Sequence, residues 1–99
     1  MNVTKKYTIL TLSIAGAPVE TIVAELGVND HAGGHRSWSA TARAKGPLKA
    51  WGDDPVEVTI TTAGKTLTGG AFIDPTYFSA GPDLETELRL VGTGDFHFV

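Results

Sequence analysis

Apolar and polar residues alternate along most of this chain, and the alternation is clearest between Val56 and Gly94. From Val56 to Thr61 every second residue is apolar, so these apolar side chains share one face of an extended strand. Ala63-Gly64 separates this stretch from a second one that begins at Lys65, which indicates a β-hairpin. Leu84 to Leu90 alternates in the same way. The pattern predicts three consecutive antiparallel strands.

Glycine and proline positions predict where these strands bend or end. Gly69-Gly70 falls in the middle of the second strand, where paired glycines indicate a bulge, a bend or a close approach of backbone. We interpret Pro75 and Gly81-Pro82 as breaks in the next connection, and Gly92-Thr93-Gly94 as the end of the third strand. A small sheet that bends in this way can close into a barrel.

The amino-terminal half continues the extended pattern. Lys5 to Ile14 alternates and predicts the first strand, and Ala15 to Pro18 predicts a turn. Val19 to Leu26 fits two structures. Its apolar residues have the spacing of a helical stripe, with Pro18 at a possible first helical position, but Thr21 to Val23 is β-branched. The extended pattern on either side favours a strand here.

Two polar or irregular segments complete the predicted fold. Asn29 to Arg36 is a polar, glycine-rich loop that joins the second strand to a third at Ser37 to Lys45. Gly46 to Pro55 is a crossing segment with at most one helical turn, and Phe96 to Val99 is a short apolar tail. The prediction is an all-β chain: a single domain over residues 1–99, folded as a small six-stranded antiparallel β-barrel or sandwich with at most one short helix.

The alternation also predicts which side chains form the core. They are the apolar residues on the inner face of each strand, with one tryptophan: Leu10, Leu12, Ile14, Ile22, Leu26, Trp38, Val56, Val58, Ile60, Leu67, Ile73, Leu88 and Leu90.

Composition narrows the class of protein. At 99 residues, with 41% apolar and 19% charged residues, the chain has the make-up of one globular domain. No apolar run approaches the roughly 20 residues that cross a bilayer, so we expect no membrane partner. The absence of cysteine excludes disulfides and thiolate metal sites, and fits a reducing cytosol.

Charge is unevenly distributed along the chain. Residues 1–50 contain six Lys/Arg and three Asp/Glu, whereas residues 51–99 contain two and eight. The unevenness is either accidental or marks a basic and an acidic edge, which would suit head-to-tail stacking of identical subunits. A basic footprint for nucleic acid is not present.

Candidate catalytic and metal-binding groups are sparse. His31 and His35 have a spacing that two metal ligands use on a helix, but Gly33-Gly34 between them disfavours a helix, and a solvated loop is the simpler interpretation. Several aspartates could offer oxygen ligands to calcium but lack the spacing of a binding loop and sit in ordinary turn sequences: they are Asp53, Asp54, Asp74 and Asp83. No Ser/His/Asp grouping stands out. We therefore expect no enzyme activity, no metal and no cofactor.

Three aromatic residues outside the core pattern are candidates for an exposed contact surface. Trp51, Tyr77 and Phe78 lie in predicted connections, where they could bind a protein or a ligand.

Three stretches together resemble bacteriophage tail-tube proteins, baseplate-hub domains, and the tube and spike proteins of type VI secretion. They are an opening strand and turn, LTLSIAGAPVE; a long hairpin with a polar loop, TIVAELGVNDHAGGHRSWSATARA; and the ending, GKTLTGGAFI followed by ETELRLVGTGDF. In tail-tube proteins a strand like TGGAFI is often followed by a closing strand that ends near Gly-Thr-Gly. The chain departs from many relatives in being short and in lacking a clear helix between its third and fourth strands.

The resemblance implies a mechanical role in a virion made in the host cytoplasm. Partners would be other copies of the chain, in a ring or tube, and other virion proteins, with DNA only as passing cargo. It implies a subunit-contact loop at Asn29, Asp30, His31, His35 and Arg36, and lumen-facing carboxylates at Glu57, Glu85 and Glu87. The alternatives are a capsid decoration or accessory barrel, and a small carbohydrate- or peptide-binding sandwich that uses the three exposed aromatics.

Overall fold

The computed structural model describes residues 3–45, 51–80 and 83–99, and strands dominate them. The described residues form eight strands and contain no helix: β1 (Val3–Thr8), β2 (Thr11–Ile14), β3 (Ala17–Val19), β4 (Thr21–Asp30), β5 (Arg36–Lys45), β6 (Val56–Thr62), β7 (Lys65–Ala80) and β8 (Asp83–Phe98). The predicted all-β, antiparallel class is confirmed. The predicted count of six strands is wrong, because two of the predicted strands are each divided by a kink.

The strands form one antiparallel sheet in the order β1-β4-β5-β8-β7-β6-β2-β3. The sheet curls into a half-barrel, and its two ends are connected by the chain itself, since β1 runs into β2 and β3 runs into β4. A curled sheet of this kind encloses its apolar face, and the alternation along each strand decides which side chains are enclosed.

The kink between β1 and β2 lies at Ile9-Leu10. The Ile9 amide donates to the Ala24 carbonyl at 3.1 Å, whereas the next amide, of Leu10, donates to the Thr61 carbonyl at 2.8 Å. Two neighbouring residues thus bond to β4 and to β6, which are far apart in the sheet order. The chain therefore crosses from one side of the half-barrel to the other at this kink. Leu10 is 62% exposed as a result, so its predicted place in the core is wrong.

A second kink separates β3 from β4 and shifts the register with β5 between Thr21 and Val23. Ile22 lies in this irregular stretch and is 49% exposed, so the prediction that it belongs to the core is also wrong. The segment Val19 to Leu26 is extended throughout its paired residues, which confirms a strand over a helix. The turn before it is shorter than predicted, because only Ala15-Gly16 turns and β3 begins at Ala17.

The core fills the concave face of the sheet. Besides most of the predicted residues, it includes small side chains of β4, β5 and β7, and the ring of Phe98; Val56 is half-buried at its margin. Complete burial of one large aliphatic side chain, such as Leu26, is worth about 2–3 kcal/mol. The buried apolar residues are Ile9, Leu12, Ile14, Ala24, Leu26, Val28, Trp38, Ala40, Ala42, Ala44, Val58, Ile60, Leu67, Ala71, Ile73, Leu88, Leu90 and Phe98.

The last two strands are longer than predicted. β7 continues through Pro75, and β8 continues through Gly92-Thr93-Gly94, so neither sequence ends a strand; the predicted break at Gly81-Pro82 lies outside the described residues. Proline lacks an amide hydrogen and is tolerated at a sheet edge. Pro75 lies in the part of β7 that has a described partner on one side only, β8. The molecule is correspondingly elongated, with extents of 48 × 26 × 23 Å.

The predicted apolar tail is the end of β8 and packs against the core. The ring of Phe98 meets the ring of Tyr7 edge-on at 5.0 Å, and the Val99 and Thr66 backbones exchange two hydrogen bonds. The tail is therefore integral to the sheet. Between β5 and β6, residues 51–55 are irregular, and the rest of the predicted helical turn, residues 46–50, lies outside the described residues.

Candidate functional site

The glycine-rich motifs of β7 and β8 form a cradle for one buried side chain. A Cβ atom added at Gly92 would lie 2.4 Å from Nε1 of Trp38, and one added at Gly69 would lie 2.8 Å from Cβ of Phe96. Both distances are shorter than real Cβ contacts allow, so only glycine fits. The register between β7 and β8 shifts between Gly69 and Ala71, but the extra residues lie in β8, between Gly92 and Phe96. Of the alternatives predicted for Gly69-Gly70, the structure therefore supports a close approach to the neighbouring strand. These glycines therefore have a packing role.

Phe96 connects this cradle to the loop after β4. Its ring meets the Trp38 ring at 6.5 Å, and the guanidinium carbon of Arg36 lies 5.4 Å from the centre of the Phe96 ring. A shallow groove runs between the loop and β8 at this point, lined by Gly34, His35, Arg36, Gly94, Asp95 and Phe96.

The predicted subunit-contact loop is shorter than predicted and is held by its own hydrogen bonds. Asn29 and Asp30 belong to β4 and Arg36 begins β5, so the loop proper is residues 31–35. The His31 amide donates to the His35 carbonyl at 2.8 Å, and Arg36 Nε donates to Asp30 Oδ1 at 3.0 Å. The strands and this ion pair together present the loop at one end of the sheet.

The two loop imidazoles lie side by side, with ring centres 5.4 Å apart, and His31 Nε2 is 2.9 Å from the Ser37 hydroxyl. Within the described part of the chain, no group of three or more histidines and carboxylates is arranged to hold a metal. The aspartates weighed as calcium ligands do not assemble there either; the side chain of Asp83 lies outside the described residues. The loop therefore presents two imidazole rings and their hydrogen-bonding nitrogens.

The three candidate lumen carboxylates all point away from the core but do not form one cluster. Glu57 lies opposite Gly70 of β7, whereas Glu87 lies opposite Thr76. Six residues along a strand span roughly 20 Å. Glu85 and Glu87 are also in register with Lys45 and Arg43 of β5, respectively. Two of the glutamates therefore belong to a row of mixed charge, and the third stands apart.

The candidate contact aromatics are also separated. Trp51 is half-buried and packs against the hydrophobic core, which leaves it less surface to offer than predicted. Tyr77 and Phe78 belong to β7 and not to a connection, and their side chains lie outside the described residues.

Among the described residues the sheet has three edges, and one of them is a long segment that sequence reasoning missed. From Phe72 to Ala80, β7 pairs with β8 on one side and with no described residue on the other, because β6 begins opposite Ala71. The two terminal strands of the sheet, β1 and β3, supply the other edges. Pro75 was the available signal, since proline inside a long alternating run indicates an edge strand.

Two exposed apolar side chains flank the start of this β7 segment. Phe72 and Val91 lie directly opposite each other on the outer face and are 47% and 53% exposed. The period-two alternation of β7 continues unbroken across Gly69-Gly70, so Phe72 points outward while Leu67, Ala71 and Ile73 point inward. The sequence pattern alone did not identify this pair.

Comparison of the chain with protein-family models, with curated proteins and with solved structures finds no match. No helix among the described residues has the length and apolarity needed to cross a bilayer.

Proposed function

We propose that this chain is a structural protein that assembles with copies of itself through its sheet edges and its residue 31–35 loop. The observation that carries the proposal is the edge of β7 from Phe72 to Ala80, which has no partner among the described residues. Backbone N–H and C=O groups along such an edge can pair with a strand of another chain. The exposed Phe72 and Val91 beside it add apolar surface that such a contact would bury.

The proposed setting is a bacteriophage tail tube or baseplate hub, and the support for it is the resemblance carried by the three sequence stretches. The free part of β7 and the residue 31–35 loop lie toward opposite ends of the sheet, which is consistent with subunits that contact neighbours on several sides. In this setting the partners are identical subunits and other virion proteins, and DNA passes without being bound.

We further propose that Glu57, Glu85 and Glu87 face the lumen of the assembled tube, because acidic side chains would not hold passing DNA. Support comes from their position on the face of the sheet opposite the core. A density map of the assembly that places all three on its outer surface would contradict the assignment.

The test of self-assembly is light scattering combined with negative-stain microscopy of the purified chain over a range of concentrations. We expect rings or stacked tubes. Trimers or monomers that bind a capsid lattice would instead favour an accessory decoration protein. A chain that remains monomeric at high concentration, and whose tryptophan fluorescence is quenched by a glycan or peptide, would overturn the proposal in favour of a binding module.

A further inference from the structure

We propose that the contact between copies is heterologous: the β1 edge of one copy pairs with the Phe72–Ala80 edge of β7 in the next. This inference rests on the proposed self-assembly and specifies the two surfaces that meet. It follows from which edges are long enough to pair, where they lie and what charges they carry.

The β3 edge is poorly suited to pairing. β3 has three residues, one of which is Pro18, and a short strand with a proline is a common means of preventing edge-to-edge association. β1 offers six residues in unbroken register with β4, and the free part of β7 offers nine positions with Pro75 as its only proline. Two edges of the described sheet therefore remain that can each support several intermolecular hydrogen bonds.

These two edges lie toward opposite ends of the sheet. β1 is in register with Glu25 to Asp30, the part of β4 that leads into the residue 31–35 loop. The free part of β7 pairs with the beginning of β8, whose partners on β5 run from Ser39 to Lys45, away from that loop. Because the edges are at opposite ends, a contact between them joins copies head to tail, and it repeats into a closed ring or an open filament.

Charge distinguishes the two edges. β1 contains Lys5 and Lys6 and no acidic residue. Lys6 lies 3.6 Å from Glu25, but Lys5 has no charged partner among the described residues. On the other edge, Asp74 is exposed and forms no ion pair within the described part of the chain, although Arg89 lies opposite it. A cation on one edge is thus available to an anion on the other.

The same charges oppose the symmetric alternatives. Pairing two β1 edges brings lysines together, and pairing two β7 edges brings aspartates together; like charges across an interface select against such partners. Pairing β1 with β7 brings opposite charges together. The charge pattern therefore favours one heterologous contact over two isologous ones.

Two charge reversals and their mixture test the pairing. We expect Lys5→Glu alone and Asp74→Lys alone each to weaken self-association by about tenfold or more at low salt, because each places like charges at every contact. An equimolar mixture should recover assembly, since the reversed β1 edge of one variant then meets the reversed β7 edge of the other, and the two unaltered edges meet as in the original chain. Sedimentation velocity over a concentration series, with each variant's fold checked by circular dichroism, measures both effects.

Glu20→Lys is the matched control, because it reverses an exposed charge between β3 and β4, outside both proposed edges, and should leave the association constant unchanged. If the unmodified chain assembles but both reversals assemble equally well, this pairing is wrong while self-assembly stands. If the reversals weaken assembly and the mixture does not recover it, the two edges do not meet each other. A chain that never assembles contradicts the proposed function itself.

Discussion

The two halves of β7 differ in how fully their backbone is paired. From Lys65 to Ala71 the strand lies between β6 and β8, and its Leu67 side chain is completely buried. From Phe72 to Ala80 it keeps only β8 among the described residues, and Phe72 is half exposed. One continuous strand therefore changes from an interior position to an edge position within a single residue step.

This difference separates residues that hold the fold from residues available for contact. In the first half, backbone and side chains are already satisfied within the chain, so substitutions there act on stability. In the second half, the outer backbone groups have no described partner, so substitutions there should act on association. Two apolar residues five positions apart on β7 can test the distinction directly.

The largest expected effect is on stability, from truncation in the first half. Leu67→Ala removes a fully buried side chain and should lower the free energy of unfolding by about 2–5 kcal/mol. Phe72→Ala, the matched truncation in the second half, should cost less than about 1 kcal/mol but weaken self-association. Urea denaturation and sedimentation velocity measure the two effects. Equal losses of stability would show that both halves belong to one core.

The Trp38 cradle gives the next largest effect. Gly92→Ala places a methyl group where the indole of Trp38 lies and should destabilise the chain by about 1–3 kcal/mol through overpacking, measured by urea denaturation. Gly27→Ala is the matched control on β4, because its nearest contacts would be at ordinary distances of 3.8 and 3.9 Å, and we expect a change within about 0.5 kcal/mol. A loss at Gly27 as large as that at Gly92 would mean that any added methyl is harmful, and would contradict the cradle.

Most of the fold could be predicted from the sequence because the sheet encloses one face, so period-two alternation reports burial directly. The predictions for Leu12, Val58 and Leu88 are correct for this reason. The predictions for Leu10 and Ile22 failed because these residues lie at kinks, where the chain crosses to the other side of the half-barrel or shifts its register with the neighbouring strand. A kink depends on hydrogen bonds to residues distant in sequence, which a local pattern does not contain.

The candidate site was less predictable from the sequence, because the strand segments that lie at a sheet edge are set by the order and register of all the strands. Gly92-Thr93-Gly94 was interpreted as a strand end, although Gly92 is required by Trp38, more than fifty positions earlier in the chain. The free edge of β7 exists because β6 begins opposite Ala71, a register that alternation leaves open. The loop at residues 31–35 was visible from its composition, but its internal hydrogen bonds were not.

The smallest expected effect on stability is that of shortening the residue 31–35 loop. This variant tests whether the loop contacts a neighbouring subunit, which pairing of the β7 edge alone would not require. Replacing residues 31–35 with Asn-Gly keeps Asp30 and Arg36 as the flanking pair and supplies a two-residue turn suited to a hairpin. Because shortening a surface loop changes its closure entropy only slightly, we expect a stability change below about 1 kcal/mol. If the loop reaches a neighbouring subunit, assembly should nevertheless be lost, which light scattering measures.

Ala63→Asn, which creates the same Asn-Gly turn between β6 and β7, is the control and should assemble normally. Normal assembly of the loop variant would restrict the contact between copies to the sheet edges.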